Sequence, residues 1–197
     1  MAAILQSLGR TVIAGIVVLV VIIILAGVAT GRMVTPDMAW STFFMRWLHV
    51  LSGVMWIGLL WYFNFVQMPS MPKIPDEQKP AVSKVIAPEA LFWFRWAALA
   101  TVVTGVLLAT MNGYILQALS LQKPFHAIGI GVWLALIMAF NVWFIIWPNQ
   151  QKALGLVEVA ADQKPKAART AMLTSRINTL LSIAMLYSMV SFQNGGM

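Results

Sequence analysis

The sequence predicts an all-α integral membrane protein, a bundle of five transmembrane helices with its N-terminus in the cytoplasm and its C-terminus outside. Three observations carry this. Of the 197 residues 60% are hydrophobic and only 10% charged, with a mean hydropathy of +0.83, which does not describe a soluble domain. Apolar stretches long enough to cross a bilayer recur along the whole chain, separated by segments rich in proline, glycine and charge. Lysine and arginine lie mostly between those stretches, as orientation signals do, so the net charge of +7 points to a membrane rather than to nucleic acid.

Read in order, the spans of this single membrane domain, residues 1–197, fall at about 11–29, 43–66, 89–111, 126–147 and 172–192. The first is aliphatic throughout, longer than the apolar core of a signal peptide, and is expected to be retained as a peripheral anchor. Gly31, Pro36 and Asp37 mark a turn before the second. Prolines at 69, 72, 75, 80 and 88 argue against one continuous helix between the second and third, and that segment is expected to begin extended. Pro88 suits the first turn of the third span. The fourth starts at His126 and is expected to stop at or close to Pro148. A second loop, 149–170, with room for a short surface helix before Pro165, leads to the fifth.

Orientation follows from the loops. Arg10, Lys73, Lys79, Lys84, Lys152, Lys164, Lys166 and Arg169 fall on one side, against Arg32 and Lys123 on the other, which places the first group in the cytoplasm. The chain has no cysteine, which excludes disulfides, thiolate metal sites, iron–sulfur clusters and covalently attached haem c.

The second span holds the densest chemistry. Arg46, His49, Gly53, Trp56 and Leu60 recur at helical spacing and share one face. An imidazole with a glycine one turn below and an arginine one turn above offers an axial ligand, clearance for a macrocycle and a cation for a propionate, as haem requires. The same residues also suit a histidine bonded to a neighbouring helix across a close glycine contact. His126, with Gly129 one turn on and Trp133 beyond it, repeats the pattern at the start of the fourth span, either as a second ligand or as a side chain facing water and headgroups. Toward the cytoplasmic side Asn64, Arg95, Asn141, Arg176 and Asn178 fall at similar depth. Buried in hydrocarbon they need partners, so they form either an interhelical hydrogen-bond network or a pocket for an anionic substrate.

Three segments, RWLHVLSGVMWIGLLWYFNFVQMP, FNVWFIIWPNQQK and SRINTLLSIAML, together resemble the N-terminal membrane domain of the bacterial cytochrome-c-linked urate oxidases, urate hydroxylases of the PuuD type. The first is also similar, more loosely, to the haem-b membrane proteins of the HemJ type, and that resemblance implies that His49 is a haem ligand. The two resemblances imply a b-haem redox protein of a bacterial inner membrane, with urate as substrate and a c-type cytochrome or other membrane subunit as electron acceptor. The urate oxidases carry further helices and a cytochrome c domain that this sequence does not contain. The alternative is a non-catalytic accessory subunit of a larger membrane complex, using its tryptophan and methionine faces to bind neighbours or lipid.

The charge bias sets a topology that fusions test. A reporter after Met197 reads out as periplasmic and one between Lys73 and Lys84 as cytoplasmic; the reverse pair overturns the orientation.

Overall fold

The computed structural model describes residues 2–196, and among these the secondary structure is helical, with no strand. Five long helices follow one another: α1, Leu8–Thr30; α2, Met38–Lys73; α3, Lys79–Met111; α4, His126–Ala153; and α5, Gln163–Asn194. The first four are long and apolar enough to cross a membrane. The chain divides into two compact units, Met1–Phe43 and Phe44–Met197.

In the first unit α1 is aliphatic all round and leaves nearly every side chain exposed, as a helix solvated by lipid would. It ends where Gly31 turns left-handed (φ +67°), which lets the Arg32 N–H reach back to the Gly27 carbonyl at 3.0 Å. The chain then folds over Gly27, where a Cβ would lie 2.8 Å from the Met33 sulfur. Asp37 begins the next helix, its Oδ1 accepting from the Trp40 N–H at 2.8 Å.

In the second unit prolines do not end the helices as expected. Helix α2 continues through Pro69 to Lys73, α3 begins at Lys79 rather than near Glu89, and α4 passes Pro148 to end at Ala153. The non-helical part of the first loop is reduced to residues 74–78. A π-helical segment precedes three of the prolines: Tyr62–Gln67, Val82–Ile86 and Asn141–Ile146. At each, the residue just before the proline (Met68, Ala87, Trp147) donates its N–H to the carbonyl five residues back. Proline has no N–H and crowds the carbonyl four residues before it, so one residue of extra winding carries the helix past without a break.

The core gathers Trp56, Leu60 and Phe63 of α2, Leu91, Phe94 and Ala98 of α3, and Met138, Val142 and Ile146 of α4, with Phe63 edge-on to Phe94 at 5.6 Å. Helix α5 packs along α4 with an inverted pattern. Its buried face is Ala167, Ala171, Thr174, Ser175, Asn178, Ser182, Met185, Ser188 and Ser191, while Leu173, Ile177, Leu180, Ile183 and Val190 point outward. Small residues at a helix interface let backbones approach closely, and outward aliphatics suit lipid. That inward polarity lowers the mean hydropathy of α5, so it does not join the four helices whose composition alone marks them as spans.

Ser182 is fully buried and its Oγ accepts from Trp61 Nε1 at 3.0 Å. Ser182→Leu therefore overpacks this contact and strands the indole donor, lowering stability in detergent by about 1–3 kcal/mol. Leu180→Ala, on the exposed side of the same helix, leaves the unfolding midpoint near that of the parent; thermal unfolding of both proteins checks the contrast.

Candidate functional site: a half-buried histidine and two polar clusters

His49 lies on the half of α2 that faces α3. Its Nδ1 is 2.9 Å from the Thr101 carbonyl oxygen and 3.3 Å from Thr104 Oγ1, which itself donates to the carbonyls of Ala100 and Thr101. Because the carbonyl can only accept, the imidazole carries a proton on Nδ1, and in the neutral ring Nε2 keeps its lone pair. The glycine beside the ring is Gly105, where a Cβ would lie 2.9 Å from His49 Cε1. Gly53, expected to clear that space, faces the γ-methyl of Thr101 instead, 3.9 Å from where its Cβ would be. Thr101, Thr104 and Gly105 were not singled out in the sequence, although three small or polar residues at i, i+3 and i+4 in an apolar span are a legible signal.

Around this end Arg46 keeps its Nε buried with no hydrogen-bond partner, and so does His126 at Nδ1. Burial pushes the Tyr114 phenol up, and the charge of the Arg46 guanidinium pulls it partly back. Tyr114 stacks on Phe125 with centroids 5.3 Å apart, and both rings meet Phe192 of α5. Gly129 and Trp133 serve a different purpose from the one their spacing suggested. A Cβ on Gly129 would run into the Ala118 carbonyl, and Trp133 Nε1 donates to the Leu119 carbonyl at 2.9 Å. Both hold the short helix Ile115–Leu119 against α4.

The polar residues at the other end separate into two clusters. In the first, the π-helical segments of α2 and α4 each aim an asparagine at α5. Asn64 Nδ2 donates to Ser175 Oγ at 2.8 Å, Asn141 Nδ2 donates to Asn178 Oδ1 at 2.8 Å, and Asn178 Nδ2 donates to the Met138 carbonyl at 2.9 Å. Arg95 and Arg176 do not join this network. Arg95 of α3 lies over the Trp147 ring of α4, 3.2 Å from its centroid, with Trp143 at 6.0 Å, and Arg176 points outward. Ser175, Trp143 and Trp147 are the partners that sequence spacing did not name.

These features define an all-helical membrane protein with a half-buried histidine fixed between two helices and an amide network on a third. Residues 114–195 match a family model described as Urate oxidase N-terminal, a stretch that takes in α4 and α5 and the second and third of the segments resembling that family. His49 lies outside it. No curated protein and no solved structure matches the chain.

The division into clusters has a measurable consequence. Asn141→Leu and Asn178→Leu are coupled by about 0.5–3 kcal/mol in a double-mutant cycle, because they share a buried hydrogen bond. Arg95→Leu combined with Asn178→Leu is additive to within about 0.5 kcal/mol. Unfolding in detergent reads both.

Proposed function

We propose that this chain is a membrane redox protein of the urate-oxidase N-terminal type that binds b-type haem through His49. In this reading all five long helices span the bilayer of a bacterial inner membrane, N-terminus in the cytoplasm and C-terminus outside, and electrons pass to an external carrier such as a c-type cytochrome. Urate as the electron source rests on the family resemblance.

The observation that carries the haem assignment is the state of the His49 imidazole. A histidine that ligates iron through one nitrogen usually gives its other N–H to a carbonyl or carboxylate, which fixes the ring and raises the basicity of the ligating nitrogen. His49 has that second bond, to the Thr101 carbonyl, and among the described residues no hydrogen bond reaches Nε2. The helix-tying role and the ligand role are therefore compatible, since they use different nitrogens. Among the described residues no three histidine or carboxylate side chains converge to hold a bare metal ion, whereas haem brings four nitrogens of its own and needs only one or two from the protein. The buried, unpaired Arg46 Nε and His126 Nδ1 fit the same group, the first as a donor to a propionate and the second as a candidate axial ligand. Haem would supply one-electron transfer. The protein's part is to hold the His49 proton on Nδ1, to leave room for the ring at Gly105, and to offer positive charge at Arg46.

A second reading is favoured by a different observation. Between α2 and α3 an apolar groove of about 340 Å³, lined by Leu51, Met55, Trp93, Trp96 and Ala100, opens sideways and is suited to a neighbouring helix or lipid. A non-catalytic accessory subunit of a larger membrane complex would use such a surface.

Absorbance spectra of the purified protein, oxidised and reduced, separate the two. A haem protein shows a Soret band that His49→Ala abolishes and Arg46→Leu weakens. Gly105→Leu acts like loss of the ligand, because its side chain enters the space of the imidazole. His126→Ala shifts the spectrum only as the second ligand. A colourless protein, or one whose spectrum His49→Ala leaves unchanged, fails the haem reading and leaves the accessory role.

A further inference from the structure

Arg95 is a cation within a membrane-spanning helix, and among the described residues no carboxylate pairs with it. The nearest acid along α3, Glu89, instead accepts from Trp93 Nε1 at 2.9 Å. Stacking on Trp147 favours the positive charge through the face of the guanidinium, but it leaves the in-plane N–H groups unanswered. Both Nε and Nη1 are buried without a hydrogen-bond partner, and Trp143 Nε1 is in the same condition. Three donors, two on the guanidinium and one on the neighbouring indole, thus lack an acceptor among the described residues.

Three acceptors at this end lack donors among the described residues: Asn64 Oδ1, on the helix face turned to α5, and two glutamine carbonyls. Gln67 Oε1 of α2 and Gln150 Oε1 of α4 are buried and unpaired. Gln150 lies one turn beyond Trp147 in the α-helical end of α4, and Gln67 closes the π-helical segment of α2 that holds Phe63, whose ring meets Phe94, the residue before Arg95. The Arg95 side chain leans toward the N-terminus of α3, as helical side chains do, and so toward the end where Lys73, Lys79 and Lys84 of the α2–α3 connection gather. Basic pockets between helices at the headgroup level recognise lipid phosphates, and tryptophan favours the same depth.

We propose that Arg95, Trp143, Gln67 and Gln150 form a binding site for a phosphate group that carries a hydrogen-bond donor of its own. The anionic oxygens accept from Arg95 and Trp143. The donor, an ethanolamine ammonium, a glycerol hydroxyl or the P–OH of hydrogen phosphate, answers the two glutamine carbonyls. A bare oxyanion leaves those carbonyls unpaired, and a neutral tail leaves the arginine unpaired. The site is separate from His49 and holds whether or not the protein binds haem.

The chemistry is shared by a phospholipid headgroup and by free phosphate, and two measurements on the full chain in detergent distinguish them. Native mass spectrometry after delipidation follows re-binding of phosphatidylethanolamine and phosphatidylglycerol, and thermal unfolding follows stabilisation by inorganic phosphate. Arg95→Gln weakens the bound phosphate species about tenfold or more, the loss expected for charged hydrogen bonds. Trp143→Phe, which keeps the ring and deletes one donor, weakens it less, and Arg169→Gln, an exposed cation on α5, has no effect. A defect confined to the lipid measurement identifies a headgroup site, and one confined to the phosphate measurement identifies a site for the free ion. If Arg95→Gln does not fold, Trp143→Phe decides alone. Equal binding by the parent and both site variants in both measurements overturns the proposal.

Discussion

The fold depends on how buried polar groups are satisfied where water is absent. Helix α5 meets that constraint by turning its serines, threonines and asparagine inward, where Asn178 is fully buried and hydrogen-bonded on both sides of its amide. In hydrocarbon an unpaired amide costs several kcal/mol, so each such bond restricts where the neighbouring helix can sit. The small side chains around Asn178 also remove the bulk that would hold α4 at a distance. Close approach and hydrogen bonding therefore reinforce one another along α5, and α2 is drawn to the same helix through Asn64 and Trp61.

The prolines serve that arrangement rather than interrupting it. Asn64 and Asn141 both lie in π-helical segments that precede a proline. The extra winding changes the direction in which side chains leave the helix, and both amides reach α5 from these widened turns. Past each proline the helix resumes, which extends α2 and α4 well beyond the ends that proline rules alone assign.

The two proposed sites lie at the two ends of the second unit and rest on different kinds of incompleteness. At one, His49 has one nitrogen engaged and, among the described residues, the other without a hydrogen bond, while Arg46 one turn away on α2 and His126 at the start of α4 keep buried nitrogens without partners there. At the other, a guanidinium stacked on an indole has donors, and two glutamines have carbonyls, that are buried without partners among the described residues. Buried polar atoms without partners are costly, which is why both proposals are built on them.

Composition and hydropathy determined by themselves that the chain is helical and suited to a membrane, because those properties depend on residue type summed over a window and not on neighbours in space. The periodicity of α2 likewise identified the face bearing Arg46, His49 and Trp56, since helical geometry alone decides which residues share it. Which atoms His49 meets was decided only in the tertiary structure, where Gly105 and the Thr101 carbonyl come from a helix some fifty residues away along the chain. Depth along a span could not separate Arg95 from the asparagines, because depth is one coordinate and rotation about each helix is another. The continuation of α2 and α4 past proline was also beyond local rules, which treat a lost N–H as a stop; one residue of extra winding in each helix and the packing around it supply the compensation.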